Sequence, residues 1–195
     1  MHGQPSESAE MLDPAQRLAL VYAPKSAQAA WLALFLFERR LAEIARPGRE
    51  PLMIQLRLSW WRDRLGEPSS AWPVSEPVLA NLKAWNEQHR ELACLVDGWE
   101  ALVVGEDGGA ELAKAREEAL VTLALLLRVD DLESVRQAAR QYIDPSIASG
   151  APATLPRSMR PLSVLRTMAQ REALGGKPTP LRDLGRVMWA GLLGR

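Results

Sequence analysis

The side chains best spaced for chemistry are charged and aromatic residues between positions 38 and 64. Arg39, Glu43 and Arg46 stand four and three residues apart, which on a helix makes an ion-pair ladder contributing about 0.3 kcal/mol per pair. Arg57 and Arg64, seven apart, fall between two apolar stripes, one of Ile54, Leu58, Trp61 and Leu65 and the other of Met53, Leu56 and Trp60. Two stripes imply two packed neighbours, whereas Gln55, Ser59 and Arg62 share the sector facing water. Arg57 is therefore expected to be at least half buried and paired with a carboxylate, because an unpaired buried guanidinium is costly. Glu38, on the Trp31, Phe35 and Ala42 face of the preceding segment, is the expected partner. Arg57, Trp60 and Trp61 thus form a candidate buried or anion-binding group.

Other reactive-looking residues have plainer readings. Asp130 and Glu133 have the spacing of a capping box, so the Asp130-Asp131 pair reads as a helix start rather than a metal ligand set. Asp144 stands alone, with Pro145 ending its helix before a second carboxylate can follow one turn on. His89 lies on an apolar stripe, and the only other histidine is His2, so a hydrogen-bonded core position is expected rather than a metal site. The lone Cys94 sits among apolar residues and reads as a small core residue in a chain suited to a reducing compartment. There is no glycine-rich phosphate loop, no Ser/His/Asp set and no internal repeat.

These residues must be carried by helices, because the periodicity is helical between every proline and glycine cluster, at 46–51, 66–77, 105–109, 149–161 and 175–180. Residues 1–12 read as a flexible arm and 13–195 as one helical domain. Asp13 caps a first helix beginning at Pro14 and running to about Tyr22. A second runs from Pro24 to Arg46 and is apolar almost all round from Trp31 to Phe37, the pattern of a central helix. After a turn at Pro47 and Gly48, the third spans Pro51 to Leu65 as its antiparallel neighbour. One long helix is expected from Pro77 to Val104, capped by Ser75, with Gly98 marking either a break or a close approach of another backbone. Asp107 is expected to cap the next, Gly109 to Arg128, with Arg128 closing its negative end. Helices ending near Ile143 and at Gly175 follow, and a last one starts at Thr179 and Pro180. That last helix puts Leu181, Leu184, Met188 and Leu192 on one face with Arg182, Arg186 and Trp189 off it. Such a basic amphipathic end suits a membrane surface, although docking on the core is the preferred reading. The seven tryptophans are expected to fill helix interfaces.

A chain of 195 residues can bury about 70% of its unfolded surface. Lysine plus arginine equals aspartate plus glutamate at 24 each, so no net positive field favours nucleic acid. The longest apolar run, Ala29 to Phe37, falls short of the roughly 20 residues of a membrane span. The polar N-terminus carries no visible secretion signal, which points to the cytoplasm.

Phe37-Glu38-Arg39, the run from Met53 to Asp63 and Leu95-Val96-Asp97-Gly98-Trp99-Glu100 resemble the squalene/phytoene synthase family. The resemblance covers roughly residues 15 to 170 with gaps and is strongest from 31 to 65. The Arg-x-x-Trp-Trp-Arg-Asp run is more typical of the family's short, degenerate branch, which includes a respiratory complex I assembly factor. The resemblance implies a truncated isoprenoid-synthase-like bundle of about eight helices. It also implies two aspartate-rich motifs that hold Mg²⁺ against a diphosphate. Laid on this chain, the first puts its acidic positions at Ala42, Glu43 and Arg46, so that Glu38, Arg39, Glu43 and Arg46 are its remnant. The second falls on Val135 to Pro145 and leaves Asp144 alone.

With both motifs damaged, the expectation is a protein that has lost metal-dependent prenyl transfer, needs no cofactor, and binds a partner protein or an apolar or prenyl ligand. Peripheral membrane contact fits the basic C-terminal end. The alternative is a prenyl diphosphate transferase using Mg²⁺. A third possibility keeps a metal-free site in which Arg57 or Arg39 holds an anionic or prenyl-lipid head group.

Overall fold

A computed structural model describes residues 10–105, 109–147, 154–175 and 188–194. The Asp107 cap, the start of the last helix at Thr179 and most of the N-terminal arm lie outside these. Among the described residues the chain is all-α. Its helices are α1 (Pro14–Val21), α2 (Lys25–Ile44), α3 (Pro51–Gly66), α4 (Pro77–Leu82), α5 (Ala93–Val104), α6 (Ala110–Leu126), α7 (Leu132–Ile143) and α8 (Arg160–Ala173). Short 3₁₀ turns occur at Ser69–Ala71 and Arg157–Met159, a longer one spans Lys83–Leu92, and residues 188–193 are again helical.

The start of α1 follows from Asp13, whose carboxylate accepts from the Gln16 N–H at 2.9 Å ahead of Pro14. Helix α2 is the centre of the fold: Trp31 through Phe37 are buried without a break, as an all-round apolar helix must be. Around it α1, α3, α4, the Lys83–Leu92 turns and α5 supply the surrounding side chains. Three buried indoles fasten this core by donating to backbone carbonyls, Trp31 to Ser158 at 2.8 Å, Trp85 to Ala30 at 2.9 Å and Trp72 to Arg64 at 2.6 Å. Each N–H is thereby satisfied where water is excluded. Trp61 is also buried, against Phe37, whereas Trp60 and Trp189 are exposed, so core filling accounts for only part of the tryptophan content.

Helix α3 departs from its two-stripe reading. Ile54, Leu58, Trp61 and Leu65 are buried, and the helix packs chiefly on α5 rather than on α2. The second stripe faces outward: Met53 is 45% exposed, Leu56 56% and Trp60 38%, and Leu52 next to Met53 is 58% exposed. An apolar side chain does not by itself require a neighbour, and α3 lies at the edge of the bundle.

The helix expected from Pro77 to Val104 is three pieces. Asn86 sits at φ 49°, ψ −140°, outside the helical region, and breaks the Lys83–Leu92 stretch. The inward stripe survives the break: Leu82, Trp85, His89, Leu92 and Val96 are all buried. Its cap is Glu76, which accepts from the Val78 N–H at 3.3 Å, and not Ser75. Gly98 marks a close approach, since a Cβ there would lie 2.8 Å from Leu112 Cα, and α5 and α6 pack with backbones nearly touching.

At the end of α6 the backbone forms a Schellman turn, with Arg128 N–H bonded to Leu125 and Val129 N–H to Ala124. Arg128 therefore lies beyond the helix at φ 56°, a left-handed position, rather than closing its last turn. Replacing Arg128 by glycine should relieve about 1 kcal/mol of backbone strain. A rise of about 2–4 °C in Tm by calorimetry is the expected reading, and a fall would show that the side chain holds the turn. One residue on, Asp131 and not Asp130 caps α7, accepting from the Ser134 N–H at 3.0 Å. At the C-terminus Ala190 is buried, Gly191 lies against Tyr22, and Gly194 accepts from the Leu155 N–H at 2.6 Å, so this end docks on the core.

Candidate functional site

Helices α2, α6 and α7 bring Glu38 and the Tyr142 end of the 135–145 segment together around a small cavity. Glu38 points from α2 towards α6, where Arg116 donates to both its oxygens, Nε to Oε1 at 2.9 Å and Nη2 to Oε2 at 3.1 Å. Burial works against the Arg116 charge, but the hydrogen bonds and Coulombic attraction of Glu38 outweigh it and hold the guanidinium pKa above its ordinary value. The same guanidinium lies 5.4 Å from the Trp99 ring centroid. Beside this pair is a cavity of about 230 Å³ lined by Leu34, Phe35, Leu120, Tyr142 and Leu165. Burial, reinforced by the Glu38 carboxylate, pushes the Tyr142 hydroxyl up to about 12. Glu38 and that segment thus meet through a tyrosine and an arginine rather than through paired carboxylates.

The remaining candidates are dispersed. Glu43 is held by Arg39 at 3.1 Å and Arg40 at 3.9 Å, so the ladder runs through Arg40 where Arg46 was expected. Arg40 also bonds Glu76 at 3.0 Å, and Arg46 is exposed. Asp144 accepts from the N–H and hydroxyl of Ser146 at 3.0 and 2.6 Å, which lowers its carboxyl pKa and fixes the turn after α7. A cation held by Glu38, Glu43 or Asp144 would have to displace an arginine or open that turn, so this donor set does not fit Mg²⁺.

Arg57 overturns its expectation. It is exposed and has no ion-pair partner among the described residues, while Glu38 belongs to Arg116. The error follows from the second stripe of α3: Arg57 lies beside Met53 and Trp60, which face outward and meet no neighbouring helix that would cover Arg57 among the described residues. Trp60 and Trp61 diverge, with their rings edge to face at 5.2 Å, Trp61 in the core and Trp60 at the surface. Arg62 instead ties α3 to α5, reaching Asp97 at 2.8 Å and Glu100 at 2.6 Å. Sequence reasoning missed Arg116; the available signal was that it shares one face of an interior helix with Ala119, Leu120 and Leu123.

His89 is buried, with Nδ1 at the Asn86 carbonyl and Nε2 3.1 Å from the Glu67 carbonyl, and its ring packs edge-on against Trp72. Both ring nitrogens are used structurally. Cys94 is partly buried beside the Ala115 carbonyl, and burial, helped by Glu118, pushes its thiol up to about 12. At pH 8 its thiolate should be scarcer than that of a free cysteine by a factor on the order of a thousand. Alkylation of the native protein should be correspondingly slow and become fast in denaturant; equal rates would contradict this.

No protein-family model, no curated protein and no solved structure matches the chain. No described helix is long and apolar enough to cross a membrane.

Proposed function

We propose that the chain is a non-catalytic protein on a squalene/phytoene-synthase-like scaffold, and that it docks a partner protein on the outer face of α3. The observation that carries this reading is the exposed stripe of Leu52, Met53, Leu56 and Trp60, four large apolar side chains on adjacent turns of one rigid helix. Grouped exposure of this kind marks an interaction surface, whereas single exposed apolar residues do not. Arg46 and Arg49, in the connection leading into α3, and Arg57 on α3 are exposed without ion-pair partners among the described residues, against the exposed carboxylates of Glu50 and Asp63. The complement is an amphipathic helix whose apolar face covers the stripe and whose rim carries carboxylates opposite Arg57. That the partner belongs to a membrane respiratory complex under assembly is a further step, resting on analogy with the degenerate branch alone.

Support for the non-catalytic half comes from the arginines. Head-to-head prenyl transfer needs divalent cations to draw off a diphosphate, and Arg116, Arg39 and Arg40 already neutralise the carboxylates that would hold them. Incubation with farnesyl or geranylgeranyl diphosphate and Mg²⁺ should yield no condensed product. Turnover that Glu43→Gln or Asp144→Asn abolishes would overturn the reading.

A further inference from the structure

A further cavity lies away from both regions above. It is a groove of about 780 Å³ walled by three helical segments: α1, the first turns of α2, and the stretch around Ala80 to Ala84. Its lining follows from helical spacing. On α1, Arg17 and Val21 are four apart; on α2, Lys25, Ala29 and Leu32 fall on one face; across from them are Ala80 and Ala84. Alanine at three of these positions leaves room where larger side chains would fill the space. The size and the apolar lining match small-molecule sites, which span about 300–1,000 Å³ and add only a few polar groups.

Charge selects among apolar ligands. Arg17 and Lys25 are exposed at the groove and neither has an ion-pair partner among the described residues, while Glu10 is the single carboxylate among the described lining residues, which together carry one net positive charge. The N-terminus of α2 adds to this, since Pro24 provides no side-chain cap and the first turn holds no acidic residue. Lys25 and that helix end together favour a negative group.

We propose that this groove binds a single-chain fatty carboxylate, its tail along the alanine-floored apolar wall and its carboxylate held by Arg17 and Lys25. The site is independent of the α3 face, and Leu56 contributes nothing to it. An uncharged amphiphile of the same length lacks the second interaction and binds more weakly. A partner helix or a fold of the chain itself over the groove is the competing occupant.

The test is titration of the full-length protein with cis-parinaric acid, followed by displacement with oleate and with oleyl alcohol. Saturable binding is expected, displaced by oleate about tenfold better than by the alcohol. Arg17→Gln with Lys25→Gln should weaken oleate about tenfold and erase its advantage over the alcohol. Ala80→Trp, a change at an exposed position, should abolish binding by filling the groove, and Leu56→Asp should leave it unchanged. Absence of saturable binding would overturn the proposal. So would binding that Ala80→Trp leaves intact, or equal displacement by acid and alcohol.

Discussion

Replacing Trp85 by alanine is expected to cost about 4 kcal/mol of folding stability. The indole is completely buried at the junction of the Lys83–Leu92 turns with α2, and its N–H donates to the Ala30 carbonyl at 2.9 Å. Truncation removes its apolar contacts, leaves a cavity that a close-packed core fills only in part, and deletes the bond between two segments far apart in sequence. Urea denaturation gives the number directly through the shift in midpoint at constant slope. Trp85→Phe keeps most of the volume and loses the donor, so its cost should be about 1–2 kcal/mol. A Trp85→Ala protein within about 1 kcal/mol of wild type would mean that the broken segment is not fastened to the central helix as described.

That segment also shows how far the sequence carries. The inward residues of the stretch from Val78 to Val103 could be read off their four-and-three spacing, and they are the residues that face the core. The backbone between them could not, because a 3₁₀ stretch broken at one asparagine retains nearly the same apolar pattern as a continuous helix. Asn86 leaves the helical region and its carbonyl meets His89 Nδ1, a contact that no local propensity encodes. The central position of α2 was legible because apolar residues surround its axis. Helix α3 was half legible: Ile54, Leu58, Trp61 and Leu65 are core, but the second stripe was assigned a neighbour that is absent among the described residues. Arg57 went astray with it. At the candidate site, Glu38 was expected to pair with Arg57 of the next helix, yet its partner is Arg116 of α6, seventy-eight positions away. Pairing across that separation depends on how helices stack, which single-helix periodicity does not report.

The second large effect concerns binding. Leu56→Asp alters an exposed residue of α3 and should change folding stability by no more than about 0.5 kcal/mol, whereas Trp60→Ala also removes the edge-to-face contact with Trp61 and should cost about 1 kcal/mol. If the stripe is a docking face, both side chains sit under the partner. Truncating an aromatic anchor or placing a charge there costs about 2 kcal/mol or more of binding. The partner segment should therefore bind each variant about thirtyfold more weakly, with most of the change in the dissociation rate. Arg57→Glu should weaken binding further at low salt than at high salt, because its contribution is electrostatic. Loss of binding accompanied by equal loss of stability would point to misfolding instead.

If the outer face of α3 is covered by another protein, site-specific photo-crosslinking in the cell that expresses the chain will capture that protein. A photoreactive residue replaces Met53 on the stripe or, as a control, exposed Gln137 on α7. One discrete adduct is expected from position 53, mapping to an amphipathic helix with carboxylates on its rim, absent when Leu56→Asp is present and absent from position 137. Identical adducts from both positions, crosslinking of position 53 to lipid alone, or no adduct there would contradict it.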